Sequence, residues 1–214
     1  DGNKTMLIPK FSWWYYKSIA DEVDGRTLQY PVYETEDSFA YDFDGLRRMI
    51  AEENPKILLV ASPNNPTGNG LTPDELEQLV GMVPATTVVL VDEAYASYVT
   101  EDISYIRNLI AKYPNIIFCR TLSKFYGLPG LRLGFMVGPK DLIAEARALR
   151  RLMVRHAPNN NQRTAALFLS LGHYDSHHRR LSAAYRERAK VLSAALARHL
   201  PEVHPVPISG GASC

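Results

Sequence analysis

Three stretches place reactive side chains in otherwise apolar surroundings: SPNNPTG at 62–68, VDEAYASY at 91–98 and RTLSKFYGLPGLRLGF at 120–135. The first packs two prolines, two asparagines and a glycine into a stiff turn able to aim a side-chain amide. It also reads as a plain tight loop into a helix capped by Thr72, with Pro73 at the first helical position. The second ends an apolar run with Asp92 and Glu93, and Tyr95 follows. A carboxylate at the mouth of a buried strand is costly unless it meets a cation or a donor, which suits a protonated ring nitrogen; the alternative is an N-cap for the next segment. The third carries Lys124 and, eight positions on, Arg132. Partial desolvation lowers a lysine's preference for the charged form, and a neutral amine can attack a carbonyl to give a Schiff base. Thr121, Ser123 and Arg132 offer two hydroxyls and a guanidinium, which suit a phosphate dianion. Taken alone, the stretch is equally a glycine-rich loop with a surface lysine.

The surrounding pattern says what must hold these stretches. KILLVAS at 56–62, PDELEQLVGMV at 73–83, TVVLVDEAY at 87–95, ISYIRNLIAKY at 103–113 and NIIFCRT at 115–121 read as β-α-β-α-β. Strands apolar throughout are what a parallel sheet covered on both faces requires. RLGFMVG at 132–138 reads as another buried strand, PKDLIAEARALRRLM as the start of a long amphipathic helix, and NQRTAALFLSLG and YDSHHRRLSAAYRERAKVLSAALARHL as two more. In an open α/β sheet, ligands sit beyond the carboxyl ends of the strands, and each of the three stretches falls at such an end. PEVHPVPISGGASC reads as the start of a further strand, and the chain does not open with methionine. The expectation is a piece of a longer protein.

Composition narrows the class. The 214 residues are 46% hydrophobic, as in an ordinary globular protein, and 24 basic against 23 acidic side chains leave a formal charge of +1. That balance gives no electrostatic footprint for nucleic acid or an acidic membrane, so the expected partner is a small molecule. No apolar run approaches the roughly 20 residues that span a bilayer, and the first residues, DGNKTMLIPK, lack the charged-then-apolar form of a signal peptide. Cys119 and Cys214 lack the spacing of a disulfide scaffold or zinc site, and neither is a strong nucleophile candidate. A cytoplasmic location is expected. GHYDSHH at 172–178 reads as a helix start and exposed helix rather than a metal site, and 179–190 as a solvated face.

Together, an amide, a carboxylate, a phenol, a Schiff-base lysine and a phosphate clamp describe a receptor for an aromatic aldehyde bearing a ring nitrogen, a hydroxyl and a phosphate. Pyridoxal 5'-phosphate is that molecule. SPNNPTG, DEAY and RTLSK…GL.GLR.G, in this order, resemble the class I/II aminotransferases of fold type I, and most closely their histidinol-phosphate aminotransferase branch. The resemblance implies a three-layer α/β/α sandwich with a mainly parallel sheet. Residues 1–150 would form the cofactor-binding large domain, incomplete at its N-terminus. Residues 151–180 would be connecting helices, and 181–214 the truncated start of a small α/β domain.

Carried over by motif, Lys124 is the Schiff-base lysine and the acid/base group for the substrate α-proton, and Asp92 the partner of the ring nitrogen. Asn65 and Tyr95 would bond the ring 3-oxygen, and Thr121, Ser123 and Arg132 the phosphate. LIPKFSWWYYKSIA at 7–20 resembles the segment that stacks an aromatic on the cofactor; Phe11 takes that place, where relatives of this branch usually have tyrosine. Most of Trp13, Trp14, Tyr15 and Tyr16 then read as core packing along one helix face, with a substrate-lining aromatic among them as the alternative. Pro129 stands where relatives commonly have alanine, which a fixed turn accepts. The resemblance also implies a homodimer, a further phosphate-binding helix upstream and a substrate-carboxylate arginine downstream; no arginine of 1–214 matches that arginine by motif.

The expected activity is transfer of an amino group between an amino acid or amine and a 2-oxo acid. A decarboxylase or cyclase on the same fold, and a non-catalytic cofactor-binding regulator domain, are the alternatives.

Overall fold

A computed structural model describes residues 2–35, 39–99 and 102–203. Its centre is a six-stranded sheet in the order β2-β1-β5-β6-β7-β8. The strands are β1 (Thr5–Pro9), β2 (Arg26–Tyr30), β5 (Ile57–Ala61), β6 (Val88–Asp92), β7 (Ile116–Thr121) and β8 (Gly134–Val137). All neighbours are parallel except β7 and β8. A separate hairpin pairs β3 (Val32–Glu34) with β4 (Phe39–Tyr41).

The helices follow the apolar patterns. Helix α3 (Pro73–Gly81) opens on a capping box in which the Thr72 hydroxyl accepts from the Glu75 amide and the Glu75 carboxylate accepts from the Thr72 amide. With Pro73 in its first turn, this start is the one the sequence specifies. Helices α2 (Phe43–Glu53), α3 and α4 (Ser104–Lys112) put Leu46, Ile50, Leu76, Leu79, Val80, Ile106 and Leu109 onto one face of the sheet, against Leu7, Leu58, Val60, Val89, Val91, Ile116 and Phe118. On the other face lies α1 (Tyr15–Asp21), whose Tyr16 and Ala20 pack on Met6, Ile8, Leu59 and Ala61. Sheet and helices form the expected three-layer α/β/α arrangement.

The chain then runs through α5 (Lys140–Met153), α6 (Asn159–Ser170) and the long α7 (His173–His199), close to the ranges their periodicity predicts. A single helix thus crosses position 180. No helix among the described residues is long and apolar enough to cross a membrane.

Three expectations need correction or fall outside this structure. RLGFMVG does form a strand, but it is not buried: Phe135, Met136 and Val137 are exposed because β8 ends the sheet, with β7 on one side only. Trp13, Trp14 and Tyr15 are exposed as well; α1 starts only at Tyr15, so the aromatic run straddles a turn instead of lining one helix face, and Tyr16 alone of the four is buried. The strand expected in PEVHPVPISGGASC lies almost wholly outside the described residues, and its first residues form a turn.

One polar cluster interrupts the helix-covered face. Glu93 continues the Val89–Val91 side of β6, and Arg120 the Ile116–Phe118 side of β7. Arg120 Nε donates to Glu93 Oε2 at 2.7 Å, and its Nη2 donates to the Tyr105 hydroxyl at 3.3 Å. The Tyr105 hydroxyl in turn donates to Glu93 Oε1. Both charged side chains are nearly closed to solvent, at 9% and 3% exposure. Burial pushes the Glu93 carboxyl above its ordinary range, and the Arg120 guanidinium and the Tyr105 hydroxyl draw it back. Removing the cation leaves a buried carboxylate with no counter-charge, the costly way to break such a pair. Arg120→Met is expected to lower stability by about 3–5 kcal/mol at pH 7 in denaturant unfolding. With the folded-state value of Glu93 raised further, the folded variant binds a proton more readily than the unfolded chain. Its deficit should therefore shrink as the pH falls through that raised value and grow as the pH rises through it.

Candidate active site

Parallel pairing puts the carboxyl ends of β1, β5, β6 and β7 side by side, with Ala61 opposite Asp92 and Asp92 opposite Cys119. Phe11 follows β1, Asn65 follows β5, Asp92 ends β6 with Tyr95 just beyond, and Thr121, Ser123 and Lys124 lie at or after the end of β7. Residues far apart in the chain thus meet along one edge of the sheet.

The pleat separates the two neighbouring carboxylates. Glu93 turns to the buried cluster, and Asp92, on the Leu90 side of β6, turns to α1. Asp92 is half-buried, and each of its oxygens has a donor: the Tyr16 hydroxyl at 2.7 Å on Oδ2 and the Ala94 amide at 2.9 Å on Oδ1. The second bond is a turn contact two residues on and not the N-cap weighed as an alternative, because the next segment, Ala96–Tyr98, is preceded by Tyr95 and has no side-chain cap; the first bond comes from the α1 layer. Burial, and then the Asp92 charge, push the Tyr16 phenol well above its ordinary value, so it holds its proton.

The loop after β5 is held by its first asparagine. Asn64, buried, donates from Nδ2 to the Phe11 carbonyl at 3.2 Å and to the Thr67 hydroxyl at 2.6 Å, tying this loop to the turn after β1. The Ser62–Pro63 and Asn65–Pro66 peptide bonds are cis. Asn65 stands half-exposed beside this anchor. Phe11 has a positive φ of 61° and an exposed ring, set edge-on to Phe39 with the Lys10 ammonium 4.9 Å from its centroid.

The lysine loop is locked by packing. Phe125, 2% exposed, sits between Tyr98 at 4.7 Å and His178 at 4.5 Å, and Tyr126 stacks on Tyr174 at 4.7 Å. Gly127 adopts φ +66°, and a Cβ there would lie 3.3 Å from His177 Nε2, so both backbone and space favour glycine. GHYDSHH is therefore a helix start as expected, but part of it faces inward: His178 is buried. Lys124 itself is exposed, and its Nζ lies 5.2 Å from the centroid of the Tyr95 ring.

The structure treats the expected phosphate ligands unequally. The Thr121 hydroxyl accepts from the Ser123 amide at 3.0 Å and approaches the Leu133 carbonyl at 3.4 Å, so it braces the loop. Arg132, with a φ of 52°, is exposed and donates to the Pro129 carbonyl at 3.2 Å. Ser123 is half-buried beside Lys124. Tyr16, Asn64 and the aromatic and histidine platform of α7 were not singled out as site residues by the sequence; in the aromatic run nothing distinguished Tyr16 from its neighbours.

Residues 1–210 match the family described as Aminotransferase class I and II. The chain belongs to this family. Among curated class I and II aminotransferases it is 39% identical over 147 residues to histidinol-phosphate aminotransferase 2 of Hydrogenovibrio crunogenus, covering 68% of this chain and 38% of that protein. It is 33% identical over 187 residues to an aromatic amino acid aminotransferase of Mycobacteroides abscessus, covering 86% and 51%. The chain thus spans about half or less of the length of these relatives. Among solved structures, a putative histidinol-phosphate aminotransferase from Erwinia carotovora atroseptica superposes with a TM-score of 0.80 at 25% identity, over 96% of this chain and 57% of that one. An aspartate aminotransferase double mutant from Thermus thermophilus, at 23% identity, shares the fold with a TM-score of 0.85, over 99% and 55%.

Cys119 lies opposite Asp92 at this edge, and burial, with the Asp92 and Glu93 charges adding to it, pushes its thiol up to about 12. The thiolate is the reactive form, so site-resolved mass spectrometry is expected to show iodoacetamide labelling of Cys119 at pH 8 at least about a hundredfold slower in the folded protein than in denaturant.

Proposed function

We propose that the protein carrying this chain is a pyridoxal-phosphate-dependent aminotransferase, moving an amino group between an amino acid or amine and a 2-oxo acid. One observation carries the reading: the Lys124 amine stands beside the Tyr95 ring, at the same sheet edge as a half-buried carboxylate, Asp92, whose two oxygens are already oriented by donors. When bound, pyridoxal phosphate supplies an aldehyde for a lysine amine and a ring that withdraws electrons from a substrate carbon.

The residues present fit that group. Lys124 would hold it covalently and move the substrate proton. Asp92 would meet its ring nitrogen, each carboxylate oxygen keeping a lone pair beyond the bond it already accepts. Asn65 and Tyr95 would meet the ring oxygen, Phe11 would cover one ring face, and Ser123, Thr121 and Arg132 would meet the phosphate. Thr121 contributes least directly, because its hydroxyl already serves the loop. A histidinol-phosphate-like amine is the leading amino donor, on the strength of the relatives' names. A homodimer and a cytoplasmic location belong to the same reading.

The purified protein is expected to take up pyridoxal phosphate with a visible absorption band that borohydride removes, leaving the modification on Lys124. Lys124→Ala should lose both the covalent label and the activity. A protein that stays colourless with excess cofactor defeats the proposal. Release of carbon dioxide without a 2-oxo acid product would favour the decarboxylase alternative.

A further inference from the structure

We infer that Tyr16 is a positioning residue for Asp92, fixing the carboxylate from the α1 layer for the positively charged ring nitrogen; this rests on the proposed cofactor. The two residues come from different layers, 76 positions apart, and their side chains meet at 2.7 Å. That distance is in the range of a charge-assisted O–H···O bond. Ala94 restrains one carboxylate oxygen from within the strand end, and Tyr16 restrains the other from across the sheet face. A carboxylate gripped at both oxygens has lost rotation about its side-chain bonds before any ligand arrives, so that ordering cost is not charged to binding.

The donor is itself held. Tyr16 is 7% exposed and packs with Ala20 on Met6, Ile8, Leu59 and Ala61, and the Trp13 ring meets it edge-on at 5.5 Å. Its raised phenol keeps it a donor throughout the neutral range. Neither the family motifs nor the spacing singles this tyrosine out; within the aromatic run it is the Tyr16 hydroxyl that bonds Asp92, so the role falls to one position.

Tyr16→Phe keeps the ring and removes only the hydroxyl. Dissociation constants for pyridoxal phosphate are measured in the wild type, Tyr16→Phe, Asp92→Asn and the double variant, with the pH at which the bound cofactor's visible band changes. Loss of one hydrogen bond to a charged group is expected to weaken retention about tenfold and to move the band transition by about one pH unit. Because Tyr16 acts through Asp92, the same substitution in the Asp92→Asn background should change retention by less than about twofold. An equal loss in both backgrounds, or a Tyr16→Phe protein whose retention and band transition match the wild type, overturns the role while leaving the functional reading intact. If Asp92→Asn holds too little cofactor to titrate, the band transitions of the wild type and Tyr16→Phe decide. A wild-type protein that takes up no cofactor overturns both.

Discussion

The ion pair of Glu93 with Arg120 is the constraint on which the site rests. Two consecutive carboxylates at the end of a buried strand would repel each other and lose much of their hydration if they shared one environment. Strand alternation sends them to opposite faces, and Arg120 from the neighbouring strand neutralises the one that goes into the core. The same contact bridges β6 and β7 at their carboxyl ends, which sets Asp92 next to the start of the lysine loop. Asp92 is thereby left as the carboxylate on the α1 side of the sheet at this edge.

Beyond that edge, different forces take over. The sheet's ladder ends at Thr121, and the path from there to Lys124 and Phe125 is set by a few local bonds, Leu122 N–H to the Leu133 carbonyl and Ser123 N–H to the Thr121 hydroxyl, together with side-chain packing. Tyr98 comes from the short turn after β6, and Tyr174, His177 and His178 from the first two turns of α7. A helix remote in sequence thus fixes the loop that carries the lysine. On the opposite side, the buried amide of Asn64 ties the loops after β1 and β5 together.

The legible parts of the sequence were those where one local rule dominates. Uninterrupted apolar runs announced β5, β6 and β7, and the Thr72–Pro73–Glu75 cap announced α3. β1 escaped because its five residues end in a proline and merge with the aromatic segment, and β2 because Arg26, Thr27 and Gln29 make it polar at the rim of the sheet. The apolar run at 132–138 marks a strand but not its exposure, since such a run does not reveal how many neighbours its strand has. The positions of Lys124, Asp92 and Tyr95 along one edge follow from strand ends that could be read directly. The partner of Asp92 could not, because a contact between layers depends on which way a short helix is turned, and four aromatics in a row leave that turn undetermined.

Placing β1 inside the sheet, between β2 and β5, has a bearing on the order of assembly. A central parallel strand needs partners on both flanks, and its partners here come from later in the chain. Phe11, and Tyr16 on the helix that follows, reach the edge where Asp92 stands only once that strand has been inserted. Such non-local pairing is slow to form, because loop-closure entropy is lost before the contacts compensate for it. A species that has collapsed β5, β6 and β7 but not yet captured β1 would contain the lysine and the aspartate and still lack the assembled pocket. Competence to hold a ligand at this edge is therefore a property of the sheet with β1 in place, and not of β5, β6 and β7 alone.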